Sequence, residues 1–87
     1  MKFYIKHENR GRIRIHLAQK RMSSVQAETL LYYLQNQKQV SFAKVYDRTG
    51  DAVICYQGER SAILRMIQIF HYEKVELPTG LVESSAL

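Results

Sequence analysis

The sequence predicts an α+β domain with a four-stranded antiparallel sheet and two helices on one face. Three observations carry this expectation. Residues Arg12–Leu17 alternate strictly between basic and apolar side chains. Two later segments repeat apolar residues at helical spacing, and Asp47–Asp51 reads as a hairpin loop between two strand-like runs. Alternation marks a strand with one buried face, whereas i, i+3, i+4, i+7 spacing marks a helix with one buried stripe.

The first strand covers Phe3 to Lys6, where Phe3 and Ile5 alternate with Lys2, Tyr4 and Lys6. Asn9–Gly11 turns or bulges the chain. Arg12–Leu17 is then a second strand, or the second half of a bent one. Ile13, Ile15 and Leu17 point one way; Arg12, Arg14 and His16 point the other.

Helix one begins at Ser23, a good N-cap, with Gln26 three residues on to complete a capping box. Met22 and Ala27 can staple the helix entry, and Ala27, Leu30, Leu31 and Leu34 form its apolar stripe. Val40–Tyr46 is the next strand. The loop that follows places Gly50 at a left-handed position, and Ala52–Tyr56 returns. Both faces of that returning strand are apolar, so periodicity leaves open whether Ile54, or Val53 with Cys55, faces the core.

Gln57-Gly58 breaks the strand. Helix two runs from about Glu59 to Phe70, with Ala62, Ile63, Met66, Ile67 and Phe70 inward. Glu73–Leu77 reads as a last short strand, stopped by Pro78 and Gly80. The domain is thus expected over residues 1–78, with 79–87 a patternless tail or linker. The order is β, α, β-hairpin, α, β behind an extra first strand, a split βαβ arrangement.

Composition narrows the function. The 87 residues suit one domain with a single modest core. No apolar run nears the ~20 residues of a membrane span, and the N-terminus lacks a signal-peptide core. The single cysteine, Cys55, excludes an intrachain disulfide and any multi-cysteine zinc site. A cytoplasmic setting is the simplest expectation. Net charge is +5, but residues 1–21 hold seven Lys/Arg against Glu8 alone, and the remainder is slightly acidic. Such local basicity implies an anionic partner for one surface; on a sheet edge it also discourages aggregation.

Candidate chemistry is sparse. His7, His16, His71 and Cys55 are the metal-ligating types, and none is paired at local ligand spacing. His71 is expected to cap the end of helix two. Cys55 reads as a small core residue, and no nucleophile-base or carboxylate pair stands out. No cofactor is therefore expected, nor catalysis by this domain alone. The binding candidates are Arg10, Arg12, Arg14, His16, Lys20 and Arg21, because arginine forks hold carboxylate or phosphate bidentately. The helix start at Ser23 would add backbone donors. Tyr4 could stack on a base, but the glycine–aromatic signature of RNA-recognition strands is absent after Gly11-Arg12.

Gly-Arg-Ile-Arg-Ile-His-Leu, the Leu30, Leu31, Leu34 helix, Val40-x-x-Ala43-x-Val45, Thr49-Gly50 and the apolar strand ending in Tyr56 resemble heavy-metal-associated domains. These are N-terminal modules of heavy-metal-transporting P-type ATPases. The resemblance spans about residues 10–77 and implies a ferredoxin-like βαββαβ fold. It departs at one place. The loop that carries Cys-x-x-Cys in the typical module reads Ala18-Gln19-Lys20-Arg21-Met22-Ser23-Ser24 here. The chain thus looks like a variant subgroup that lacks the cysteines and opens with an arginine-rich strand, some members of which front bacterial pumps linked to iron. The resemblance implies a regulatory or docking domain in which Arg10, Arg12 and Arg14 grip another pump domain or an acidic or phosphate-bearing partner. ATP-driven translocation would then belong to the parent protein. The alternative is a free-standing nucleic-acid-binding module that uses the same basic strand, and self-association through a sheet edge is a third expectation.

Overall fold

The computed structural model of the chain describes residues 1–19 and 21–77. Its elements are β1 (Phe3–Asn9), β2 (Arg12–Leu17), α1 (Ser24–Gln35), β3 (Val40–Tyr46), β4 (Asp51–Tyr56) and α2 (Arg60–Gln68), followed by a 3-10 turn at Tyr72–Lys74. The four strands form one sheet in the order β1-β2-β4-β3, every neighbouring pair antiparallel. This is an α+β fold of ferredoxin-like kind.

The first two strands are separate and joined by a tight turn, where Gly11 adopts φ +78°. Their pairing runs from Phe3 opposite Leu17 to Asn9 opposite Arg12, with a bulge between Ile5 and His7. That hairpin explains the main departure from expectation. Glu73–Leu77 is not a strand: Tyr72–Lys74 forms the 3-10 turn and Val75–Leu77 has no regular structure. The sheet position beside β2, where a closing strand would pair, is filled by β1. Pro78, Gly80 and the expected tail lie outside the described residues.

Helix α1 starts as its cap predicts. Ser23 Oγ accepts from the Gln26 N–H at 3.1 Å, and Gln26 Oε1 accepts from the Ser23 N–H at 3.0 Å. Helix α2 is shorter than its apolar pattern, ending at Gln68, yet Phe70 beyond it is still buried. Phe70 packs against the Tyr33 and Tyr72 rings, and the Tyr33 hydroxyl donates to the Met66 carbonyl at 2.7 Å, tying α1 to α2.

Register settles which side of β4 faces the core. Ile54 sits opposite Ile13 and Ala43, and Ala52 opposite Ile15 and Val45. These residues join Leu30, Leu34, Ile63, Ile67 and Phe70 in one buried cluster. Burial at this density is the main stabilising contribution to a small domain. Val53 and Cys55 therefore point to the opposite, helix-free face. Among the described residues no helix is long and apolar enough to cross a membrane.

Candidate binding face

The helix-free face follows from pleat and register. Side chains on it stand in three rows across the sheet. Tyr4, His16, Asp51 and Tyr46 make the first row. His7, Arg14, Val53 and Lys44 make the second, and Asn9, Arg12, Cys55 and Phe42 the third. Alternation within β2 placed Arg12, Arg14 and His16 together, as the sequence predicts. The bulge in β1 leaves Lys6 as the extra residue and lets its side chain join them.

Asp51 organises the first two rows. Its side chain is 1% exposed, yet every oxygen is used. Oδ2 accepts from Lys6 Nζ at 2.9 Å, from Arg14 Nε at 3.2 Å and from Arg14 Nη2 at 3.1 Å. Oδ1 lies 2.8 Å from His16 Nδ1. Burial pushes the carboxyl pKa up, but hydrogen bonds from His16, Lys6 and Arg14, with the Lys6 charge, outweigh it and hold the group at about 2. The Arg14 guanidinium also lies 4.8 Å from the Tyr46 ring centre and Lys44 Nζ 5.2 Å from it, both cation–π distances. Tyr4 tilts against His16 at 5.1 Å.

The remaining predicted residues are dispersed. Arg12 is exposed in the third row and makes no ion pair among the described residues. Arg10 sits in the β1–β2 turn, beside a cleft lined by Glu8, Gly11, Tyr56 and Arg60. There Glu8 accepts two bonds from Arg60, both at 2.8 Å, and this bonding lowers the Glu8 pKa. Arg21 is exposed beyond the other end of β2, roughly 20 Å along the strand direction from Arg10. Lys20 lies outside the described residues. The helix start at Ser23 does not serve this face: α1 packs on the opposite side of the sheet, and the Ser23 hydroxyl already takes the Gln26 N–H.

Two expectations about single residues are corrected. Cys55 is not a core residue; it is half-buried on the helix-free face, because β4 turns Ala52 and Ile54 inward. His71 does not cap α2, whose C-cap is Ile69; it precedes the 3-10 turn, 3.8 Å from Glu73. Sequence reasoning missed Lys6, Lys44, Phe42, Tyr46 and Asp51. The alternation of Phe42, Lys44 and Tyr46 with Ala43 and Val45 is a readable signal for three of them. Asp51 reads as a loop acid until β4 is seen to begin with it.

The corner between β2 and α1 is held by backbone. The Leu17 N–H donates to the Gly50 carbonyl at 2.9 Å and the Met22 N–H to the Asp47 carbonyl at 2.8 Å. Gly50 has φ +76°, and a Cβ there would collide with the Gln19 carbonyl. Gln19 is fixed in turn by the Tyr72 hydroxyl at 2.7 Å. Among the described residues no group of three or more His, Cys, Asp or Glu side chains is placed to hold a metal ion. His16 and Asp51 are the nearest approach, and Lys6 and Arg14 already occupy that carboxylate.

No protein-family model, curated protein or solved structure gives a significant match to the chain.

Proposed function

We propose that this chain is a regulatory docking domain on the cytoplasmic side of a heavy-metal-translocating P-type ATPase. It works without cysteine-based metal binding. The observation that carries the reading is the helix-free face, where Lys6 and Arg14 pair with Asp51 while Arg12 and Lys44 add exposed cations in the neighbouring rows. A flat face with surplus cations suits attachment to an acidic surface rather than enclosure of a small substrate. Support also comes from the resemblance over residues 10–77 and from the β2–α1 corner. That corner is pinned by the neighbouring hairpin, and its described side chains include no cysteine.

The reading frame beyond Leu87 gives the first test. Membrane helices followed by an ATP-hydrolysing domain are expected; a frame of globular residues with no spans overturns the reading. In the full-length protein, the double substitution Arg12→Glu with Lys44→Glu should change metal-stimulated ATP hydrolysis severalfold while membrane insertion is unaltered. Unchanged hydrolysis would count against a docking role.

A second reading, a module for single-stranded nucleic acid, is favoured by one observation. Tyr4 and Phe42, more than half exposed, share the face with Arg12 and Arg14, and rings beside guanidinium groups can stack on bases. Fluorescence anisotropy with labelled oligonucleotides should then show binding that falls steeply between 50 and 200 mM salt, about the range over which phosphate contacts weaken most visibly.

A further inference from the structure

We infer that the occupant of the helix-free face is an acidic polypeptide segment in extended form, carrying a carboxylate and an apolar side chain on one face, two or four residues apart. The inference rests on the docking reading above and names its partner. Asp51 displays the recognition chemistry in cis: one carboxylate draws Lys6, Arg14 and His16 to within 2.8–3.2 Å. That site is filled by the chain's own acid. The third row offers the same chemistry unfilled.

Arg12 stands exposed with no ion pair among the described residues, and Lys44 in the neighbouring row likewise. Across the sheet from Arg12 come Cys55 and then Phe42, a residue that is 53% exposed. The row therefore reads cation, small thiol, aromatic. A guanidinium fork binds carboxylate through two parallel bonds, and an exposed ring gains by covering apolar surface. Arg12 and Phe42 lie two strand gaps apart, roughly 10 Å. An extended chain spans that distance in about three residues, and because its side chains alternate between faces, the acidic and apolar ones that reach both groups stand two or four residues apart.

Charge and shape favour this occupant over two others. A nucleic-acid backbone crossing the sheet would find Lys6, Arg14 and His16 already committed to Asp51. The one ring that the two central strands present on this face is His16, already bonded to Asp51 and tilted against Tyr4. A bilayer is taken up by a protruding apolar wedge or amphipathic helix, whereas Tyr4 and Phe42 stand at opposite edges of a flat sheet. A peptide meets the free cations with separate carboxylates and bypasses the buried one.

The test is an NMR titration of the 87-residue chain. The probes are acetylated decapeptides with glutamate and leucine two or four positions apart; their glutamine counterparts, a uridylate octanucleotide and phosphatidylserine vesicles run in parallel. Saturable shifts at Arg12, Lys44, Cys55 and Phe42 are expected. Arg12→Glu should weaken binding about tenfold or more, and Phe42→Ser about threefold, with unaltered melting temperatures. Arg12→Gln, which keeps size and removes charge, should fall between wild type and Arg12→Glu. Equal binding of the glutamine peptide, shifts confined to another surface, or no binding at millimolar peptide overturns the inference. So does tighter binding of the oligonucleotide or the vesicles. The pump reading is judged separately by the downstream frame: a pump frame without peptide binding removes only this inference, and peptide binding without a pump frame removes only that reading.

Discussion

The two faces of the sheet are built from the same strands and do opposite work. On the helix-covered face, Ile13, Ile15, Leu17, Ala52 and Ile54 are wholly buried against α1 and α2. Their contribution is non-directional and scales with area removed from water. On the helix-free face, Arg12, Arg14 and His16 from the same β2 stay at least partly exposed, and the order there comes from directed bonds to one carboxylate. A single-residue alternation thus separates a face ordered by apolar burial from a face ordered by hydrogen bonds and ion pairs. Asp51 is buried on the helix-free face, and a buried charge must be matched to be tolerated at all.

The largest break in this comparison should come from the covered face. Ile15→Ala removes a fully buried side chain between β4 and the helices and should cost about 2–5 kcal/mol, read as a lower midpoint in urea unfolding. The same truncation on the other face should do far less.

Asp51→Asn comes next. It leaves Lys6, Arg14 and His16 around a neutral amide and should cost about 1–3 kcal/mol by the same measurement. If it proves neutral, the carboxylate is not what orders the helix-free face.

Acid titration sharpens that point. The folded pKa of Asp51 lies at about 2, below its ordinary value of 3.8. Its stabilisation is therefore complete above about pH 4 and is lost as pH falls toward 2, a change of about 2 kcal/mol. This acid limb of the stability curve should shrink in Asp51→Asn, and an unaltered limb would assign it to other carboxylates.

The smallest structural effect is expected at Arg12. Arg12→Glu should leave the melting temperature unchanged, since the side chain is exposed and unbonded among the described residues. A marked loss of stability there would erase the contrast between the faces.

The elements with strong local signals could be read from the chain alone. The Ser23–Gln26 capping box, the Leu30–Leu34 stripe and the left-handed Gly50 all depend on residues close in sequence, and each forms as its local chemistry requires. The strand over Glu73–Leu77 failed for a non-local reason. Its alternation suits a strand, but β1 already occupies the seat beside β2. The candidate binding face was half readable: Arg12, Arg14 and His16 announce themselves by period two. Lys6 joins them through a bulge, and Asp51 reaches them from a strand 35 residues or more away in sequence.

The sequence by itself determined that β2 has a basic side and an apolar side, that two helices cover the apolar side, and that the β2–α1 corner carries no cysteine. Those are consequences of side-chain direction and composition. Only the tertiary structure decided which side of β4 is buried, which strand closes the sheet, and which cations are spent on Asp51 while Arg12 and Lys44 make no ion pair among the described residues. Register between strands distant in sequence sets all three, and no local pattern encodes it.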